Sequence, residues 1–517
     1  MNGARALIAT LVDAGVDTVF ANPGTSEMHF VAALDDVPAM RGALCVFGGV
    51  ATGAAAGYAR MADKPAAPLL HLGPGLGNGL ANLHNARRAG SPMVNIVGDH
   101  ATTYGQDIFL TSDIASVAAN LEGWVGVAGS SADVGRLAAE AVAAATGAPN
   151  QIATLILPAD ASWSDGATPA APITPTAPTA VPADRIEAVA AILRGDEPTA
   201  IVVGGSATRE AGVTAVSRIG AHTGAKVLCE CFPTRLERGA GLPALERLGY
   251  LGEFVQMQLD GIRHLVLVDT DAPASFFAYP DRDTSLVPDG CEVHVLAGPA
   301  DDGTGALEAL AEAVGAPVGA AAVQELALPG RPTGDLDPES LGAAVAALLP
   351  EDAVLVDESA TAGLWTSLAT AGAARHTLLT LAGGAIGYGL PAATGAALAC
   401  PDRPVVSLEA DGSGMYTLQS LWTQAREDLN VTTVVYNNHA YDILNLELGR
   451  VGAGEPGPKA KAMFDLHGPD LDYVKLAAGM GVPGSRPTTA EEFSDAFEMA
   501  LAEPGPYLIE VALPSRF

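Results

Sequence analysis

Short, unbroken runs of β-branched and other apolar residues alternate with stretches of helical period along the whole chain, and this alternation restricts the fold more than any other feature. The runs are TVFANPG, PLLHLG, MVNIVGD and ATLILPAD toward the N-terminus, AIVVGG, KVLCE and HLVLVD in the middle, and AVLVDES, VVSLEADG, VTTVVYNN and YLIEVAL toward the C-terminus. A strand that is apolar on both faces must be covered on both faces, which is the situation in a parallel sheet flanked by helices. At 517 residues the chain exceeds what one hydrophobic core accommodates. The Pro/Ala-rich stretch GATPAAPITPTAPTAVPA at 166–183 and a weaker one near 316–336, with its linker portion at 321–336, divide it into 1–165, 184–320 and 337–517. The expectation is an α/β protein of three doubly wound parallel-sheet domains.

Lys plus Arg number 27 against 59 Asp plus Glu, a net charge of −32, with no long basic cluster. Nucleic acid and anionic membrane surfaces are thereby disfavoured as partners, and the acidity itself says little about substrate. The five cysteines, Cys45, Cys229, Cys231, Cys291 and Cys400, lack paired metal or redox spacing and read as reduced thiols. The N-terminal MNGARALIATLVDAGV reads as an amphipathic helix, and no apolar stretch free of turn residues reaches membrane length. A cytoplasmic protein is expected.

The most specific signal lies in the third segment. Asp411-Gly412-Ser413 closes one predicted strand, and Asn437-Asn438 closes the next, with Asn438 27 residues after Asp411. An isolated DG pair is a turn. Two oxygen-bearing side chains at successive strand ends, however, meet at the carboxyl edge of a parallel sheet, where open α/β folds bind ligands. Hard oxygen ligands beside glycines suit Mg²⁺ bridging a diphosphate, because glycine lets the backbone approach the anion.

This spacing resembles the thiamine diphosphate (ThDP) motif of the superfamily that includes benzoylformate decarboxylase and acetolactate synthase. The family's leading glycine is Ala410 here. Further matches span nearly the whole chain: Asn22-Pro23-Gly24-Thr25-Ser26-Glu27 resembles an NPG loop, Gly73-Pro74-Gly75-Leu76-Gly77-Asn78 a GPGxxN turn, Glu358-Ser359-Ala360-Thr361 the loop before the diphosphate site, and Gly383 to Pro391 the segment against the cofactor's pyrimidine. The resemblance implies ThDP and Mg²⁺ as cofactors, with Asp411, Asn438 and the Ala440 carbonyl as metal ligands. It assigns Pro23, Gly24, Gly75, Asn78, Ser359, Thr361, Gly384, Ile386, Gly412, Ser413, Tyr441, Asp442 and Ile443 to cofactor binding, Ile386 as the wedge that bends ThDP. It also implies a homodimer or dimer of dimers, with each site shared between two chains.

Enzymes of this family use a first-domain glutamate to promote the ylid at C2 of ThDP; the cofactor then stores the carbanion. The residue at that position here is Gly48. General acid–base help of this kind is worth about 100- to 10,000-fold, so Glu27 or His71 is the candidate to carry the proton instead. His71 and Thr25 match active-site positions of benzoylformate decarboxylase. His100, Phe109, Leu110, Leu444 and Phe464 are candidates for the substrate pocket, Phe464 as part of a lid. The resulting expectation is a ThDP- and Mg²⁺-dependent decarboxylase or carboligase acting on a 2-oxo acid, a lyase or transferase. Acetolactate synthase is the second enzymatic reading, although Leu267 to Ala272 carries no flavin-contacting arginine motif and FAD is not expected. A third reading, resting on Gly48, is a ThDP-binding partner or regulatory protein without turnover.

Overall fold

The computed structural model describes residues 1–515. Three sheets follow one another along the chain. The first has strands β1 (Thr18–Asn22), β2 (Arg41–Leu44), β3 (Ala67–Leu70), β4 (Met93–Asp99), β5 (Val125–Val127) and β6 (Ile152–Pro158) in the order β2-β1-β3-β4-β6-β5, all parallel. The second uses β7 (Thr199–Val203), β8 (Lys226–Cys229), β10 (Glu246–Arg247), β11 (His264–Val268) and β12 (Glu292–Ala297) in the parallel order β10-β8-β7-β11-β12.

The third contains β13 (Ala353–Glu358), β14 (His376–Thr380), β15 (Val405–Ala410), β16 (Val431–Asn437), β17 (Gly484–Ser485) and β18 (Tyr507–Ala512), ordered β17-β18-β16-β15-β13-β14. An antiparallel edge strand, β9 (Leu236–Arg238), joins it from the middle of the chain by pairing with β14. The fold is therefore the expected three-domain α/β architecture, with a third sheet that is mostly parallel. Every apolar run named above forms a strand, and all but β8, whose Lys226 and Val227 are only partly buried, are buried on both faces at the centre. Among the described residues no helix is long and apolar enough to cross a membrane.

The first and third domains meet through two helices made almost entirely of small residues, Gly48–Ala62 and Gly389–Ala399. A Cβ at Gly57 would stand 2.2 Å from the Ala392 carbonyl oxygen, and one at Gly395 would stand 1.9 Å from that of Ala54. Glycine at these positions lets the backbones touch. The joint is pinned by buried Arg60, whose Nη1 donates to the Thr380 carbonyl (3.0 Å) and the Tyr388 hydroxyl (2.6 Å). One expectation needs correction: the Gly73–Asn78 stretch is not a turn but lies within the helix Leu72–Arg88. Crowding explains the glycine at 73, where a Cβ would fall 1.7 Å from Ser112 Oγ, whereas Gly77 has nothing within 4 Å of a Cβ.

Candidate active site

The predicted site residues fall into two groups, each at the carboxyl edge of a sheet. In the first domain, Pro23, Gly24 and Thr25 follow β1, Gly48 opens the helix after β2, His71 directly follows β3, and Gly75 and Asn78 lie on the helix that His71 caps. Glu27 is fully buried. Its Oε2 accepts the Gly24 N–H (2.7 Å) and lies 2.8 Å from His71 Nδ1. Its Oε1 has no hydrogen-bond partner and packs so closely on Gly98, at the end of β4, that a Cβ there would stand 1.6 Å away. Burial raises the Glu27 carboxyl above its ordinary value, while the Gly24 N–H and His71 pull it back.

Gly24 lets the loop close over the imidazole, because a Cβ there would be 2.3 Å from the His71 ring. The His71 carbonyl accepts the Gly75 N–H (2.8 Å), and Gly75 in turn faces Gly48: a Cβ at Gly48 would stand 3.0 Å from the Gly75 oxygen and 3.1 Å from Asn78 Cβ. Gly48, Gly75, His71, Gly24 and Glu27 thus form one continuous wall. His100, Phe109 and Leu110 are not gathered into it. His100 Nε2 donates instead to the Phe109 carbonyl (3.2 Å), and the Phe109 ring is 82% exposed.

In the third domain, Ser359 and Thr361 follow β13, Gly384 and Ile386 lie in the loop after β14, Asp411, Gly412 and Ser413 follow β15, and Asn438, Ala440 and Tyr441 follow β16. Asp442, Ile443 and Leu444 start the helix Asp442–Arg450. Asp411 is 1% exposed. One carboxylate oxygen accepts the Gly412 N–H (2.8 Å), and the other, Oδ2, is buried without a partner. Burial pushes its carboxyl up to about 6. An orphaned carboxylate oxygen at a strand end is what a cation site requires before the cation arrives. Asn438 Oδ1 accepts the Ala440 N–H (3.2 Å), and its Nδ2 donates to Asp442 Oδ2 (3.0 Å), which fixes the amide between a backbone N–H of the loop and the Asp442 carboxylate. The donor set fits a hard divalent ion with a diphosphate. Tyr441 lies over Gly412, where a Cβ would meet its ring at 2.2 Å. Phe464 comes beside this loop, since its carbonyl accepts the Tyr441 N–H (2.8 Å).

Sequence reasoning missed what holds the 383–389 loop. Asn82 Nδ2 donates to the Gly387 carbonyl (3.0 Å), Asn85 Nδ2 to that of Ala385 (2.8 Å), and His84 Nε2 to that of Gly383 (3.0 Å). From beneath, Glu358 accepts the Gly387 N–H (2.8 Å) and the Gly389 N–H (2.6 Å). Glu409, opposite Glu358 in the β13–β15 register, is also buried, and both carboxyls are raised by desolvation, Glu409 further by its neighbour's charge. One signal was available only in the backbone. Of the ten described non-glycine residues with positive φ, six are Asp or Glu; of the others, Leu72, Ala360 and His439 each adjoin a residue of the candidate site, while Leu110 lies in the exposed segment outside it.

Two domain models of thiamine pyrophosphate enzymes match the chain, the N-terminal TPP binding domain at residues 1–119 and the C-terminal TPP binding domain at 361–511. The chain belongs to this family. It is 61% identical over its full length, and 99% of the relative's, to a Mycobacterium tuberculosis protein provisionally named acetolactate synthase large subunit IlvX. It is 29% identical to benzoylformate decarboxylase of Pseudomonas aeruginosa, with 96% of each chain covered. A Rhodococcus jostii ThDP-dependent 4-hydroxybenzoylformate decarboxylase superposes over 100% of both chains with a TM-score of 0.86 at 25% identity.

Proposed function

We propose that the chain is a ThDP- and Mg²⁺-dependent enzyme that decarboxylates a 2-oxo acid or joins the resulting acyl unit to a second carbonyl, with a benzoylformate decarboxylase-like pocket. The observation that carries this reading is the pair of buried Glu27 and partly exposed His71 at the carboxyl edge of the first sheet, 2.8 Å apart in a wall that also contains Gly48. Bound ThDP would supply the nucleophilic carbon and the electron sink. Asp411, Asn438 and the Ala440 carbonyl would hold Mg²⁺ against its diphosphate. Glu27, with an oxygen free of partners, and His71, whose ring is 26% exposed, are the groups able to hold and pass a proton where Gly48 offers none. Thr25, on the exposed side of the same loop, would face the substrate carboxylate.

A flavin is not part of this reading. At the carboxyl edge of the middle sheet, the Gly205 and Ser206 N–H groups donate to Glu230 Oε1 (3.2 Å) and Asp269 Oδ2 (2.7 Å), so this edge presents carboxylates where a phosphate would meet repulsion. A homodimer or dimer of dimers, formed around the two sheet edges, fits the exposed Met415 and Tyr416 that directly follow the Asp411 turn. One observation favours a second reading, a ThDP-binding regulatory partner: the position of the family's glutamate is a glycine whose surroundings are close-packed, a Cβ there standing 3.0 Å from the Gly75 carbonyl oxygen. Product analysis with a panel of aliphatic and aryl 2-oxo acids separates them. CO₂ release from at least one supports the enzyme; none, with ThDP bound stoichiometrically, supports the partner.

A further inference from the structure

Away from this site, at the amino edge of the middle sheet, two adjacent parallel strands bring together His264, the first residue of β11, and Glu292 and His294 of β12. His264 pairs with Glu292 in the register and Val266 with His294, so rigid backbone places both imidazoles and the carboxylate at one corner of the sheet. His264 Nδ1 and His294 Nε2 are 3.1 Å apart, and Glu292 Oε2 lies 3.9 Å from each. Two nitrogens bound at about 2.0–2.1 Å to one tetrahedral ion stand about 3.3 Å apart. The two rings therefore already hold nearly that geometry, and Glu292, 72% exposed, needs only a rotamer adjustment.

The second observation concerns the far side of the His264 ring. Its Nε2 lies 2.9 Å from Glu197 Oε2, so the N–H donates there and the Nδ1 lone pair points toward His294. A carboxylate that fixes the tautomer and orientation in this way is the usual companion of a metal-bound histidine.

We propose that His264, His294 and Glu292 form a binding site for a divalent transition ion of the Zn²⁺ class, with Glu197 as the positioning residue and water completing the coordination. Imidazole nitrogen selects such ions over Mg²⁺ and Ca²⁺. When the ion binds, the proton on His294 Nε2 passes through solvent to Nδ1 of the same ring, so that His294 Nε2 and His264 Nδ1 both offer lone pairs to the metal. The bound ion would fasten edge strand β12 to β11, far from the ThDP site in the sequence and in the sheet order.

The test uses the full chain loaded with ThDP and Mg²⁺, titrated with Zn²⁺ against a chromophoric chelator. Wild type should bind one more equivalent at micromolar concentration or below than the double variant His264→Ala/His294→Ala. Any Zn²⁺ taken up at the Mg²⁺ site is common to both and cancels. Glu197→Gln should keep the stoichiometry and weaken that equivalent about 10- to 100-fold. Equal stoichiometry in wild type and double variant, or binding only at millimolar Zn²⁺, overturns the proposal. If the double variant fails to fold, Glu292→Gln, altered at an exposed side chain, replaces it: at least a tenfold loss of Zn²⁺ affinity supports the site, and unchanged affinity overturns it.

Discussion

His71 Nδ1 lies 2.8 Å from Glu27 Oε2, and the two side chains reach each other across a loop that closes only because residue 24 is glycine. The pair couples a buried carboxyl to a partly exposed imidazole beside the position where this family carries its glutamate. Replacing Glu27 by Gln keeps the shape and removes the proton acceptor. Turnover is expected to fall by about 100- to 10,000-fold, with ThDP affinity changed little, as steady-state kinetics and calorimetry would report. Because burial raises the Glu27 carboxyl, the ionised form accumulates only above the ordinary carboxylate range, so kcat/KM should fall on the acid side at a higher pH than an exposed glutamate would give.

Asp411→Asn addresses the other half of the site. The orphaned Oδ2 becomes an amide nitrogen that repels a cation, so Mg²⁺-dependent ThDP binding should be lost while far-ultraviolet circular dichroism stays unchanged. ThDP affinity equal to wild type in the presence of Mg²⁺ would remove Asp411 from the metal site.

Glu358 and Glu409 face each other in the interior, both with raised carboxyl pKa. An acid held above its ordinary value of 4.5 binds its proton more tightly in the folded chain than in the unfolded one. Its contribution to stability is full below that value and is lost as pH rises through the raised folded values. Glu409→Gln, which keeps the bond from Ser407 Oγ but cannot ionise, should therefore melt with wild type near about pH 5 and above it near about pH 9. Scanning calorimetry at the two pH values checks the sign.

Gly48→Ala probes the packing against Gly75 and Asn78. The added methyl carbon would stand 3.0 Å from a backbone oxygen, so a loss of about 1–3 kcal/mol in stability is expected, seen as a lower denaturation midpoint. Gly48→Glu should incur that strain and more.

The sheets were legible because their central strands are continuous apolar runs, and Asp411 and Asn438 because two polar residues end successive strands at a distinctive spacing. Other strands were not: RGAL at β2 and VGV at β5 are too short to form a run, and in EVHVLA at β12 Glu292 and His294 break up the apolar residues. The Glu358–Glu409 pair was hidden for a different reason. Each residue reads as the polar end of a strand, and only the β13–β15 register shows that they are opposed and buried. The bonds from Asn82, Asn85 and His84 to the 383–387 loop join residues about 300 apart in sequence, which no local pattern records.

The central claim, that Glu27 and His71 carry the proton traffic Gly48 cannot, is tested most directly by hydrogen–deuterium exchange at C2 of bound ThDP, followed by quenched NMR in the wild type, Glu27→Gln and His71→Asn proteins. Exchange in the wild type well above that of free ThDP, with a drop of about 100-fold or more in either variant, is the predicted result. Wild-type exchange no faster than free ThDP, or exchange unaffected by both substitutions, would contradict it.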